Sequence, residues 1–188
     1  MNLWCAWVVL AIAASAPLGS AREHLDEFTQ DLKSATGAFE QIVVDKSGRR
    51  SGAARGTFAL KAPGWFRWEE AWPSPVLTLN TPKESLEAPT STSGSTGFLL
   101  HLLEPGALDR DFTMYQTENR DGLVWLHMTP RAPTPEIIAI DLGFDASTLR
   151  RLNATNRDGR IVELRFSTWK RNPELPGSVF QPPPESSP

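Results

Sequence analysis

The chain has 188 residues, a formal net charge of −3 and one cysteine, Cys5. That length supports one domain with a sizeable core. A mildly acidic balance argues against a nucleic-acid partner, which needs a basic face, and a lone cysteine excludes an internal disulfide and a multi-thiolate metal site.

Residues 1–21 carry no charged side chain. An apolar run from Leu3 to Ala14 leads into small residues and then into Arg22-Glu23. This is the pattern of a secretory signal peptide cut after Ala21, with Gly19 and Ala21 as the small residues. The run is shorter than the ~20 residues a membrane-spanning helix needs. Cys5 would leave with the leader.

Residues 23–35 place Leu25, Phe28 and Leu32 at i, i+3 and i+7, which predicts a one-sided helix stopped near Gly37, with His24 on its exposed side. The pattern then turns strand-like. Extended segments are predicted at 39–45, 56–61, 65–70, 112–117, 123–129, 137–142, 148–154 and 160–168. Turn signals separate them: Lys46-Ser47-Gly48, Pro63-Gly64, Asp121-Gly122, residues 131–135 and Arg157-Asp158-Gly159. A second short helix is expected at 97–103, ending at Pro105-Gly106. Residues 74–97 are rich in Ser, Thr and Pro and show no strand pattern beyond 76–79, so a loop or insert is expected there. Residues 182–188 read as a disordered tail. Evenly spaced short strands with tight turns predict a mainly antiparallel α+β fold, its meandering sheet curved into a sandwich or an open barrel.

Alternation along these strands sorts the side chains into faces. Phe58 and Leu60 share one face of their strand, and Phe66 and Trp68 share one of theirs, with Arg67 and Glu69 pointing the other way. Leu126 and Met128 lie opposite Trp125 and His127. Ile138, Ile140, Leu142 and Phe144 align, as do Val162, Leu164 and Phe166. An apolar concave face needs an apolar partner, either the protein's own core or a greasy ligand.

Catalytic patterns are missing. His24, His101 and His127 are far apart with no ligand spacing around them. The chain has no Gly-x-Ser-x-Gly elbow, no Gly-rich phosphate cradle and no His-Glu-x-x-His. Glu69 and Glu70 are adjacent on a strand, so they face opposite ways and cannot form a catalytic pair. An enzyme reading has no residues to name, and no cofactor or metal is expected.

Five pieces in order carry a resemblance: Phe39-x-Gln41, the Pro63-x-x-Phe66-x-Trp68 hairpin, Thr129-Pro130 after a strand, the LRFSTWKRN run from Leu164 to Asn172, and Phe180-x-Pro182-Pro183. With them the chain resembles the LolA family, the periplasmic outer-membrane lipoprotein carriers of Gram-negative bacteria. The resemblance runs from Arg22 to Trp72 and from about Phe98 to Pro183. It implies an unclosed, curved β-barrel with short helices capping an apolar cavity. Leu25, Phe28 and Leu32 would form a lid. Phe39, Phe58, Leu60, Phe66 and Trp68 would belong to the inner wall, with Leu126, Met128, Ile138, Ile140, Leu164 and Phe166 as further acyl-chain contacts.

The resemblance also implies partners and a location. These are acylated outer-membrane lipoproteins as cargo, an inner-membrane ABC release complex that loads the carrier, and an outer-membrane receptor lipoprotein that takes the cargo. The carrier itself would be a periplasmic monomer. A non-transporting lipoprotein-binding or sensor domain on the same scaffold, or a degenerate copy, is the alternative. Two departures stand out. Family members carry a lid-latching arginine immediately before the proline that matches Pro63, and here that residue is Ala62. The family's strand pair with Asp-Gly and Trp-x-Tyr-Asp is replaced by residues 74–97, through divergence or a shifted reading frame.

Overall fold

Ser20 opens the first helix. Its hydroxyl accepts from the Glu23 amide at 3.1 Å while the Glu23 carboxylate accepts from the Ser20 amide at 2.8 Å. This reciprocal pair satisfies donors that a helix start leaves over. Helix α1 runs Ala21–Thr29 in a computed structural model that describes residues 20–80, 94–134 and 136–182.

The helix is shorter than its spacing predicts. Asp31 takes a φ of 55° and turns the chain, and strand β1 (Ser34–Val44) begins almost at once. Gly37 therefore lies inside a strand and is not a helix stop. The buried stripe is Ala21, His24, Leu25 and Phe28. His24, expected on the wet side, instead packs toward Phe144 with ring centroids 6.4 Å apart. Leu32 lies beyond the helix, and the turn still buries it.

After β1 come β2 (Arg50–Lys61), β3 (Trp65–Trp72) and β4 (Val76–Asn80). Among the described residues two short helices follow, α2 (Ser95–His101) and α3 (Ala107–Asp111). The rest of the sheet is β5 (Phe112–Gln116), β6 (Val124–Pro130), β7 (Ile137–Asp145), β8 (Thr148–Asn156) and β9 (Ile161–Arg171). All the predicted strands form. Within the stretch expected as a loop, residues 76–80 pair with β3 from Glu70↔Val76 to Phe66↔Asn80. The remainder of that expectation, over 81–93, lies outside the described residues, as does the tail from 183 on.

The nine strands make one antiparallel sheet in the order β4-β3-β2-β1-β9-β8-β7-β6-β5. Hairpins build each half, and the single long-range seam joins β1 to β9. Asn172 stitches its end: its carboxamide oxygen accepts from the Lys33 amide at 2.7 Å, and its nitrogen donates to the Asp31 carbonyl at 2.9 Å. Strands β4 and β5 are edges, so the curved sheet is an unclosed barrel.

Local chemistry fixes the curvature. Gly64, with φ 65°, makes the turn after Pro63 and sets the register Phe58↔Trp68 and Leu60↔Phe66, which brings all four side chains to one concave face. At Gly37 a Cβ would meet the Thr168 carbonyl oxygen at 2.2 Å and the Phe58 ring at 2.6 Å. Only glycine lets β1 pass beneath that ring.

One face assignment fails. The β7–β8 register shifts between Ile137 and Ala139, and a bulge reverses the alternation there. Ile137 packs on the core while Ile138 stands 43% exposed. Ile138 is not an interior residue.

Candidate functional site: a lidded apolar interior

Leu60, Phe66, Met128, Leu142, Phe144, Leu152 and Leu164 are each completely buried, and they belong to one continuous apolar cluster. Of the side chains predicted for the inner wall and lid, Leu25, Phe28, Leu32, Phe39, Phe58 and Trp68 join that cluster. Leu126, Ile140 and Phe166 join it too; Ile138 alone stays out. Aromatic rings occupy the middle. Phe39 stacks on Trp68 with centroids 3.6 Å apart, and Trp68 lies parallel to Phe66 at 6.2 Å. Among the described residues these side chains pack against one another, so the protein's own rings and aliphatic groups fill much of the expected container.

Sequence reasoning missed several contributors. Trp169, at the exposed end of β9, folds its ring against Phe28, Phe58 and Phe166 at 4.8–5.1 Å and donates its indole N–H to the Leu149 carbonyl at 2.7 Å. Phe98, Leu99, Leu102 and Leu103 bring the α2 region over the interior. Trp125, on the opposite face from Leu126, is buried separately: the Arg120 guanidinium lies 3.9 Å above its ring, and its N–H donates to the Arg120 carbonyl at 3.0 Å. The three tryptophans of β3 differ in fate. Trp68 is core, Trp65 is covered by Phe180 at 5.4 Å, and Trp72 is 47% exposed.

Helix α1 closes the interior, and polar ties hold both its ends. At its start, Arg22 grips Asp109 of α3 through two hydrogen bonds of 2.6 and 2.8 Å, and the Ala21 amide donates to the Gln116 side chain at 2.9 Å. The guanidinium holds the Asp109 carboxyl below the usual carboxylate range. At its end, Ser147 donates to Glu27, and Arg171 donates to the Gln30 carbonyl at 2.7 Å. Ala62, which stands where the resembling family has its latching arginine, donates its amide to the Lys33 carbonyl at 2.9 Å and packs its methyl on the core. The lid is thus fastened by other residues.

On the outside, a C-terminal strap crosses β2 and β3. Lys61 donates to the Leu175 carbonyl at 2.6 Å and Arg67 to that of Val179 at 3.0 Å. Phe180, in the 3₁₀ turn Gly177–Phe180, is buried beneath. Elsewhere His127 and Asp141 pair at 2.8 Å on the outer face. Among the described residues no group of three or more His, Cys, Asp or Glu could hold a metal, and no helix is long and apolar enough to cross a membrane.

An unclosed antiparallel sheet whose one apolar face is capped by a tied helix defines a scaffold for burying something greasy. The family described as Outer membrane lipoprotein carrier protein LolA matches residues 30–183. An outer-membrane lipoprotein carrier protein of Xanthomonas axonopodis pv. citri (strain 306) is 34% identical, over 93% of this chain and 90% of the relative. Its counterpart from Dechloromonas aromatica (strain RCB) is 27% identical, over 86% and 82%. The crystal structure of MucB shares the fold, with a TM-score of 0.52 at 12% identity, covering 88% of this chain and 63% of that one. The chain belongs to the LolA family of outer membrane lipoprotein carrier proteins.

Proposed function

We propose that the chain is a periplasmic, monomeric carrier that shelters the acyl chains of outer-membrane lipoproteins in the interior beneath α1. An inner-membrane ABC release complex loads it and an outer-membrane receptor lipoprotein unloads it. The observation that carries this reading is the continuous apolar cluster, assembled from one concave sheet face and the helices that cover it. Each methylene removed from water contributes ~0.8 kcal/mol, so an acylated protein cannot cross an aqueous compartment without such a container. No bond is made or broken.

The largely self-filled interior supports directional transfer. Cargo entering must displace Phe39, Trp68 and their neighbours, so part of the burial gained by the acyl chain is lost by the protein's own rings. A weak grip suits a carrier that hands on its load. Residues 1–21 read as an export leader. Ser20 caps α1 and Ala21 is fully buried, so we place its removal at or before Ser20, slightly upstream of the small-residue pattern.

The test is release of lipoproteins from spheroplasts that contain the cognate ABC complex. Purified protein is expected to appear in a soluble complex with lipoprotein. Membrane retention of all lipoprotein overturns the reading.

A further inference from the structure

The sheet comes apart at one place. Strands β8 and β9 are paired only from Thr155↔Ile161 to Arg151↔Arg165. Beyond that, Leu149 and Thr148 stay with β7, while Phe166 and the residues after it follow β1. Each strand carries a bulge where they separate. Gly143 faces Arg151 and Phe144 faces Leu149, which leaves Arg150 extra; Ala38 faces Thr168 and Phe39 faces Phe166, which leaves Ser167 extra. Bulges bend strands and end pairing, and they gather beside functional sites.

A cleft of about 470 Å³ lies in the gap, within the range of small-ligand sites, roughly 300–1,000 Å³. Its apolar lining is Phe28 of the lid and Trp169 of β9, in edge-to-face contact at 5.1 Å. Both belong to or pack on the interior cluster. Its polar lining includes both bulged residues, Arg150 and Ser167, with Thr148 and Thr168. The two ties at the lid's end, from Ser147 to Glu27 and from Arg171 to Gln30, also start from this cleft. The cleft therefore leads to the core past two rings, and its other boundary is the lid itself.

We propose that the parting of β8 and β9 is the portal through which an acylated N-terminus loads. The acyl chains pass Phe28 and Trp169 into the core. The ester and amide carbonyls of the lipid head, which are acceptors only, stay in the cleft opposite the hydroxyls of Thr148, Ser167 and Thr168 and the Arg150 guanidinium. This deepens the carrier reading and rests on it.

The test uses the exported chain, which has lost Cys5 with the leader, carrying Lys170→Cys in the cleft lining, and a fluorescent tripalmitoyl-cysteinyl peptide as probe. Attaching a bulky group to the introduced thiol through a reducible disulfide should slow uptake about tenfold or more, as blocking a gating step does. Reduction should restore the rate, with the melting temperature unchanged throughout. Equal uptake with and without the plug overturns the portal. If the unplugged chain takes up no probe at all, the carrier reading falls and takes this one with it. In a second arm, Thr168→Val should weaken binding of the ester-bearing probe about fivefold, the worth of one neutral hydrogen bond. An ether-linked analogue should be unaffected. Equal losses for both probes, or stronger competition by an anionic phospholipid than by the lipopeptide, overturn the head-group assignment.

Discussion

Phe39 of β1 and Trp68 of β3 lie face to face, ring centroids 3.6 Å apart and planes 22° from parallel, although β2 runs between their strands. They meet only because the sheet is strongly curved, and their stack fills the middle of the interior cluster.

Phe39→Ala should therefore act in two directions. Loss of the ring costs about 3–5 kcal/mol in denaturant unfolding, and the space it leaves should tighten binding of an apolar dye or acyl probe. A variant that loses stability and also binds more weakly would make Phe39 a direct cargo contact and not a plug.

Opening of the lid should depend on the ion pair at its start. Because Arg22 depresses the folded-state pKa of Asp109, the pair stabilises the fold above the ordinary carboxylate pKa, about 3.9. That contribution is lost only as pH falls through the lower folded value. Both side chains are about half exposed, so the pair is worth no more than about 1 kcal/mol. Asp109→Asn should lower Tm by about 1–4 °C at pH 7, speed acyl uptake, and approach the parent chain as pH falls well below the ordinary carboxylate range. A constant Tm difference across that range would assign the effect to something other than charge.

Much of this was readable from residues. The Pro63-Gly64 turn and the alternation around it identify Phe58, Leu60, Phe66 and Trp68 as interior, because hairpin register follows from local turn chemistry. Ile138 was misassigned because a bulge leaves no mark on alternation. His24 was misassigned because its polar side chain masks its place one turn before Phe28, on the same buried stripe. Trp169 and Phe180 were missed for another reason. Both sit among polar or Pro-rich neighbours, and what buries them is distant in sequence.

The bulge in β7 makes a direct comparison possible. Ile138→Ser should change stability by no more than about 0.5 kcal/mol, as surface substitutions do. Ile140→Ser should cost about 3 kcal/mol or more, since it empties a core site and buries a hydroxyl. Similar costs at the two positions would mean that Ile138 faces inward in solution.

The outer strap separates in the same way. Phe180→Ala removes a buried ring from its seat on Trp65 and should cost about 3 kcal/mol. Removing residues 183–188 should be neutral within about 0.5 kcal/mol. A large loss on truncation would show that those residues brace the strap.

The seam between β1 and β9 bears on how the molecule is made. Lys33 and Asn172, which fasten its end, are 139 residues apart in sequence. A chain that emerges N-terminus first can zip its hairpins as they appear, but the two halves can join only after the final strand has arrived. Closing so distant a pairing is intrinsically slow. Until β9 arrives, each half is a separate run of hairpins, and the apolar interior that the two halves share is unfinished.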